Sequence, residues 1–340
     1  MPHPSTSLLC TLAAAAMGVL LGCGSRGSDT LVVYCAHDSV YSEQILRRFE
    51  QESGVPVSIK FDTEATKSLG LVQQLIAEKG NPRCDVFWNN EVLGTMDLLD
   101  EGILHPYQGP GYERIPAVFK DPDGHWTGFG ARLRVFIVNT DAMDANPDTI
   151  DARLKSDDLS RFAAAKPLYG TTLTHYSLLW QEWGGEELQR WHRDARQRGL
   201  VEAGGNAQVK DLVASGVCDF GWTDTDDFFA ARDAGRPVAM VPVRINDDAT
   251  VSIPNSVAII RGTTRIEQAQ KLVDFLLSEE IELELSRSDA RQIPLGPIDE
   301  THLSDDVRQL KSWAAEGYNL GALAQARREC LAWLTSEYLQ

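Results

Sequence analysis

Three aspartates stand within four residues in the run Thr223-Asp224-Thr225-Asp226-Asp227. Helix capping and the helix dipole account for one or two acids at such a place. Three together also make an oxygen-rich patch suited to a hard cation or an ammonium group. Other carboxylates stand at comparable points: Asp38 just after an apolar run, Glu64 in Asp62-Thr63-Glu64-Ala65-Thr66-Lys67, and Glu91 after Asn89-Asn90. His37, beside Asp38, adds a ring that binds metals when neutral. The opposite chemistry is present too. Arg132 and Arg134 are two residues apart on an alternating stretch, so they share a side. A guanidinium grips an oxyanion with two parallel hydrogen bonds. Thr172, Thr174 and Tyr176 lie before one helix, and Asn206 follows Gly204-Gly205 at the start of another. Free N–H groups at helix starts favour anions. No H-E-x-x-H, P-loop, G-x-S-x-G or C-x-x-C pattern occurs, and no nucleophile has a partner at a defined spacing. We therefore read a binding protein and not an enzyme.

The elements that position these residues alternate strand and helix. Leu31–Cys35 is a continuous apolar run, the pattern of a parallel strand buried on both faces. Tyr41, Ile45 and Phe49 recur at helical spacing, and Gly54 closes that helix. Strand, helix and strand follow as Val55–Phe61, a segment through Leu69, Val72 and Ile76, and Asp85–Trp88; a helix through Met96 and Leu99 comes next. Three βα units predict a doubly wound α/β sheet, whose ligands bind beyond the C-terminal strand ends. Those ends are Cys35–Asp38, Phe61–Lys67 and Trp88–Glu91. Further on, the pattern predicts a strand over Arg132–Asn139, a turn at Thr171–Thr174 before a helix, strands Cys218–Trp222 and Val238–Val243, and a crossing segment Thr250–Ile260. Four helices end the chain: Ile266–Leu277, Glu280–Ser286, Val307–Trp313 and Ala322–Leu334.

The chain has 340 residues, with 32 Lys and Arg against 49 Asp and Glu, a formal charge of −17. That balance argues against a nucleic-acid binder with a basic stripe and against a polybasic membrane-surface protein. Residues 1–22 carry no Asp, Glu, Lys or Arg, and Leu8–Leu21 has the length of a signal h-region. The sequence Leu20-Leu21-Gly22-Cys23 after it looks like a bacterial lipobox. The reading is a signal peptide over 1–22, lipidation at Cys23 and a polar tether over 23–30. Cys35, Cys84, Cys218 and Cys330 remain, and buried free thiols are expected. Cys35 ends one parallel strand and Cys84 begins another, which separates them by roughly 13 Å at ~3.3 Å per residue.

Five segments resemble, in order and spacing, a family 1 extracellular solute-binding protein of an ABC importer. They are LVVYCAHDSVYSEQILRRFEQESGVPVSIKF, CDVFWNNEVLGTMDLLDEGIL, GFGARLRVFIVNT, DLVASGVCDFGWTDTDDFF and LVDFLLSEE. The similarity runs from Leu31 to about Gly296 and is strongest to the ferric-ion-binding branch. It implies a type II periplasmic binding protein: two doubly wound α/β lobes joined by crossing hinge strands, with 31–138 plus 253–340 as lobe 1 and 139–252 as lobe 2. The C-terminal helices would then pack on lobe 1. It further implies a monomer that closes on one ligand and hands it to an ABC permease and ATPase, here lipid-anchored on the periplasmic face of a bacterial membrane. The branch's metal-ligating His falls on Asp38, its Glu on Glu91, and its Tyr pair on Asp226 and Asp227. The resemblance thus implies four carboxylates as metal ligands, with Asp226 and Asp227 standing where the branch uses phenolates. Arg132, Thr172, Thr174, Tyr176, Asn206 and Glu64 complete the expected ligand contacts. Ferric iron or another hard cation with a synergistic anion is the expected cargo. Alternatives are a cationic or zwitterionic organic solute, a ligand-sensing lipoprotein, or a metal-dependent enzyme on the same fold.

Overall fold

The computed structural model describes residues 30–62, 69–246 and 249–338. In the first part of the chain, β1 (Leu31–Cys35), α1 (Ser39–Ser53), β2 (Val57–Phe61), α2 (Leu69–Ala77), β3 (Val86–Asn89) and α3 (Leu93–Asp100) alternate. Short β4 (Leu104–His105) and α4 (Pro110–Arg114) lead to the 13-residue β5 (Thr127–Asn139). β1 lies between β2 and β3 in parallel, with Cys35 level with both Phe61 and Trp88. Its residues are almost wholly buried, which is why the run contains no polar alternation. Gly54 ends α1 at φ 69°, and its N–H bonds to Glu50 O at 3.0 Å. Only glycine takes that left-handed cap without strain. Cys35, Cys84, Cys218 and Cys330 are all buried, and none of them is in a disulfide.

The second part contains α5 (Pro147–Leu154), β6 (Phe162–Ala165), α6 (Gly170–Trp183), α7 (Gly185–Gln197), β7 (Val201–Ala203), α8 (Asn206–Ala214), β8 (Phe220–Asp224), α9 (Thr225–Asp233) and β9 (Val238–Pro242). A hairpin of β10 (Arg244–Ile245) and β11 (Ala249–Thr250) precedes β12 (Ser252–Ile260), and α10 (Ile266–Leu276), α11 (Glu279–Arg287), α12 (Asp305–Ala314) and α13 (Ala324–Tyr338) follow. The strand order is β2-β1-β3-β12-β5-β8-β6-β7, with β4 on β12 and β9 on β5.

β5 is the seam between two lobes. Its first half pairs antiparallel with β12, and from Arg134 onward it pairs with β8 and β9. β12 pairs back onto β3. The strand starts five residues earlier than the pattern predicts, because Thr127–Gly130 reads as a glycine-rich loop. Those glycines are steric. A Cβ on Gly128 would stand 2.7 Å from Phe119 O, and one on Gly130 (φ 49°) 2.7 Å from Gln292 Oε1.

Three expectations are corrected. Thr171–Thr174 is no turn: α6 begins at Gly170 and includes it. β6, β7 and α7 were not expected; β6 reads Phe-Ala-Ala-Ala, and alanine carries little strand signal. Last, α13 does not sit on the first lobe alone. Trp333 packs on Trp180 of α6 with ring centroids 5.7 Å apart, and Tyr338 bonds His192 of α7. On its other side, Arg327 pairs with Asp97 and Arg328 with Asp100, both on α3. The helix bridges the lobes because its aromatic residues and its arginines face different partners.

Candidate functional site

A cavity of about 180 Å³ opens where strand ends of both lobes meet. Asp38 and Asn90 reach it from the first lobe, and Arg132 from β5. The second lobe supplies Lys166, Tyr169–Thr172, Gly204–Ala207, Asp224, Asp226 and Asp227. The starts of α6 and α8 both border it, so two sets of unpaired helix N–H groups and two positive dipole ends meet at one cavity. The Gly204-Gly205 pair lets the backbone approach closely at the α8 start.

Asp224 fixes this anion-friendly side without being free to leave it. Its Oδ1 accepts from Arg134 Nη1 at 2.8 Å, and its Oδ2 from Thr171 Oγ1 at 2.6 Å and Asn206 Nδ2 at 3.0 Å. Thr172 Oγ1 donates to Asn206 Oδ1 at 3.1 Å. Arg134 is fully buried, so this ion pair is sheltered from solvent.

Arg132 is also buried. Its Nη1 donates to Asn90 O at 2.6 Å and its Nη2 to Asn255 Oδ1 at 3.3 Å. Its Nε makes no hydrogen bond among the described residues and lies 3.7 Å from Asp226 Oδ2. Arg132 and Arg134 therefore share a face, but it is the buried floor of the cleft and not a solvated surface.

Beside Arg132, Asp38, Asp226 and Asp227 form an acidic corner. Asp38 precedes α1 without a side-chain cap bond and lines the cleft. Asp227 has its pKa pushed up to about 8, first by burial and then by the charges of Asp226 and Asp224. Thr223 Oγ1 donates to its Oδ2 at 2.7 Å and opposes the rise. Tyr41 borders the same acids: its phenol is pushed up to about 12 by burial, then by Asp226, Asp289 and Asp38. With Asp227 protonated, the charges of Asp38, Asp224 and Asp226 are matched by Arg132, Arg134 and Lys166. The charges that line the cleft are thus close to balanced.

Several expected residues lie elsewhere. Glu91 is not in the cavity lining; it caps α3, accepting from Leu93 N at 2.6 Å and Gly94 N at 2.8 Å. Thr174 Oγ1 reaches Gly170 O and Glu91 Oε2, both at 3.4 Å, and so links the lobes beside the cavity. Tyr176 is buried behind α6, with its hydroxyl 3.0 Å from His192 Nδ1. The His37 ring packs on Trp88 and stands 2.6 Å from Gln292 Nε2. Glu64 and Cys23 lie outside the described residues. Among the described residues, the acids of the cleft do not form a set able to share one ion; the group that does is Asp121, Asp123 and His125, in a surface turn. Asn90, Lys166, Tyr169 and Thr171 were not singled out from sequence. Reading β6 as a strand would have flagged Lys166 at its C-terminal end.

Two lobes on a shared pair of hinge strands, with a ligand-sized cavity at the strand ends between them, define the type II periplasmic binding fold. Residues 31–284 match the family of bacterial extracellular solute-binding proteins, and the chain belongs to that family. It is similar to iron-bound HitA from Pseudomonas aeruginosa, with a TM-score of 0.79 at 19% identity, covering 90% of this chain and 98% of that one. AfuA from Actinobacillus pleuropneumoniae, solved with fructose-6-phosphate, gives a TM-score of 0.74 at 19% identity, covering 91% and 98%. A probable ABC transporter periplasmic-binding protein of Sinorhizobium fredii, y4fP, is 25% identical over 230 residues, 62% of this chain and 60% of that one. Among the described residues, no helix is long and apolar enough to cross a membrane.

Proposed function

We propose that this chain is the substrate-binding component of an ABC importer, tethered by lipid at Cys23 to the periplasmic face of a bacterial membrane. It captures one small ligand by lobe closure and passes it to a permease and ATPase, without catalysing a reaction. The observation that carries this reading is the meeting, in one interlobe cavity, of an acidic corner with two helix N-termini and a buried arginine. The ligand therefore brings a cationic centre to Asp38, Asp226 and Asp227 and an oxyanion to Arg132, Thr172 and Asn206. Ferric iron or another hard cation with its synergistic anion is the leading occupant, supported by the likeness to iron-bound HitA. A second reading, a small zwitterionic organic solute, is favoured by the balanced charge of the cleft and by acids that are not gathered as an ion cage. The phosphate ester in AfuA supports an organic anion at such a cleft.

Elemental analysis and native mass spectrometry of the untagged protein separate the two readings. Thermal melts with ferric citrate, ferric carbonate, calcium, manganese and aminoalkyl oxyanions then rank ligands. A true ligand at a hundredfold excess over its Kd stabilises the fold by about 2.7 kcal/mol. Asp226→Ala with Asp227→Ala removes that gain and leaves the fold intact. A ligand that stabilises the double variant as much as the natural protein refutes the acidic corner as its seat.

A further inference from the structure

Behind the cleft, one layer of the second lobe holds polar atoms that nothing among the described residues satisfies. Arg134 is level with Asp224 on β8, and Phe136 with Trp222. Alternate residues share a face, so Arg134 and Trp222 project from the same side of the sheet. Helix α6 covers that side. Thr171 touches Asp224, and one turn later the His175 ring meets Trp222, with centroids 4.7 Å apart at 66°.

Arg134 directs only Nη1 toward the cleft network. Its Nε and Nη2 have no partner among the described residues, and neither do Trp222 Nε1 or either nitrogen of His175. Arg134 and His175 are buried to 0% and 1% exposure. Nε and Nη2 form the side-on edge of the guanidinium, the fork that receives an acceptor with two parallel N–H bonds. Trp222 Nε1 is a donor only, and a neutral imidazole contributes one N–H. The imidazole is held neutral by burial, then by the Arg134 charge. The unmet groups are thus almost all donors, and they lie on one guanidinium and on an indole and imidazole in mutual contact. Buried polar groups left this way mark a site for water or an ion, since an orphaned buried donor loses its hydration without a replacement.

We propose that the layer between α6 and the β5–β8 face holds a buried halide-sized anion on the Nε–Nη2 edge of Arg134, with Trp222 Nε1 and the His175 N–H completing its shell. This site is separate from the transported ligand: it uses the Nε–Nη2 edge of Arg134, whereas Nη1 serves the cleft network, and neither His175 nor Trp222 lines the interlobe cavity. Its occupant anchors the first turns of α6, and so the placement of Thr171 and Thr172 at the cavity.

Crystals of the full mature chain soaked in sodium bromide test this directly. An anomalous peak within hydrogen-bond distance of Arg134 Nε and Nη2 is expected. Density without anomalous signal, meaning ordered water only, overturns the proposal; so does a bromide confined to the interlobe cavity. In solution, chloride should raise Tm with saturation, against a sulfate control of equal ionic strength. Trp222→Phe keeps the packing and deletes one donor, and it should weaken the apparent chloride affinity by about tenfold, the loss of one hydrogen bond to a charged partner. An unchanged chloride response in Trp222→Phe also overturns it. Because bromide is located in space, a failed transport-ligand assignment leaves this result intact, and the reverse.

Discussion

Asp227→Asn tests the electrostatics of the cleft most sharply. The carboxyl of Asp227 is raised from an ordinary 3.8 to about 8 by burial and by its neighbours Asp226 and Asp224. The folded protein therefore holds a proton there that the unfolded chain has released. Stability contributed by that proton is fully present below about pH 3.8. It declines as pH rises toward 8 and then levels off, because the unfolded state binds fewer protons throughout that window. At about 1.4 kcal/mol per pH unit, the ceiling is roughly 6 kcal/mol. The asparagine amide copies the protonated carboxyl and keeps an oxygen for the Thr223 hydroxyl, now at 2.7 Å. Urea melts of both proteins at pH 5 and pH 9, without ligand, read the effect. The variant should already be more stable by about 1.5 kcal/mol at pH 5, and the gap should widen by several kcal/mol at pH 9, within the ceiling of roughly 6 kcal/mol. A gap that is the same at both pH values would refute the argument. Cation capture must displace this proton, so affinity for a cationic ligand should also fall as pH drops below 8.

Glu91→Gln should cost about 1 kcal/mol of stability in urea melts through weaker capping of α3, while ligand affinity by calorimetry changes less than twofold; a large affinity loss would return Glu91 to the binding set. Arg327→Ala should destabilise by roughly 3–5 kcal/mol, since it strands Asp97 against a buried interface. The same measurement on Arg328→Ala, an exposed pair with Asp100, should show no more than about 1 kcal/mol.

Some of this protein was legible in the order of its residues. The burial of β1 on both faces writes itself as an unbroken apolar run, and the helices announce their period and their closing glycine, as at Gly54. The acids Asp38, Asp226 and Asp227 were legible as cleft residues because strand C-terminal ends in an α/β sheet converge whatever the loops contain. Register and side-chain competition were not legible. Glu91 stands at the right strand end, but the nearest free N–H groups are those of α3, and local capping wins over the cleft. Asp224 reads like its neighbours, yet it lies level with Arg134 across β5 and β8, and that pairing turns a ligand candidate into an anchor for Thr171 and Asn206. Tyr176 sits two residues after Thr174, but on a helix that rotation of about 200° sends it to the opposite side, against His192. The lobe-bridging role of α13 depends on partners that are some 150 to 230 residues away in sequence, from Glu329 to Trp180 and from Arg328 to Asp100. Local periodicity specifies which residues face inward. Which inward-facing groups meet depends on long-range packing, and in a buried cleft the closest donor claims each carboxylate, because leaving either one unpaired away from water costs more than any sequence preference supplies.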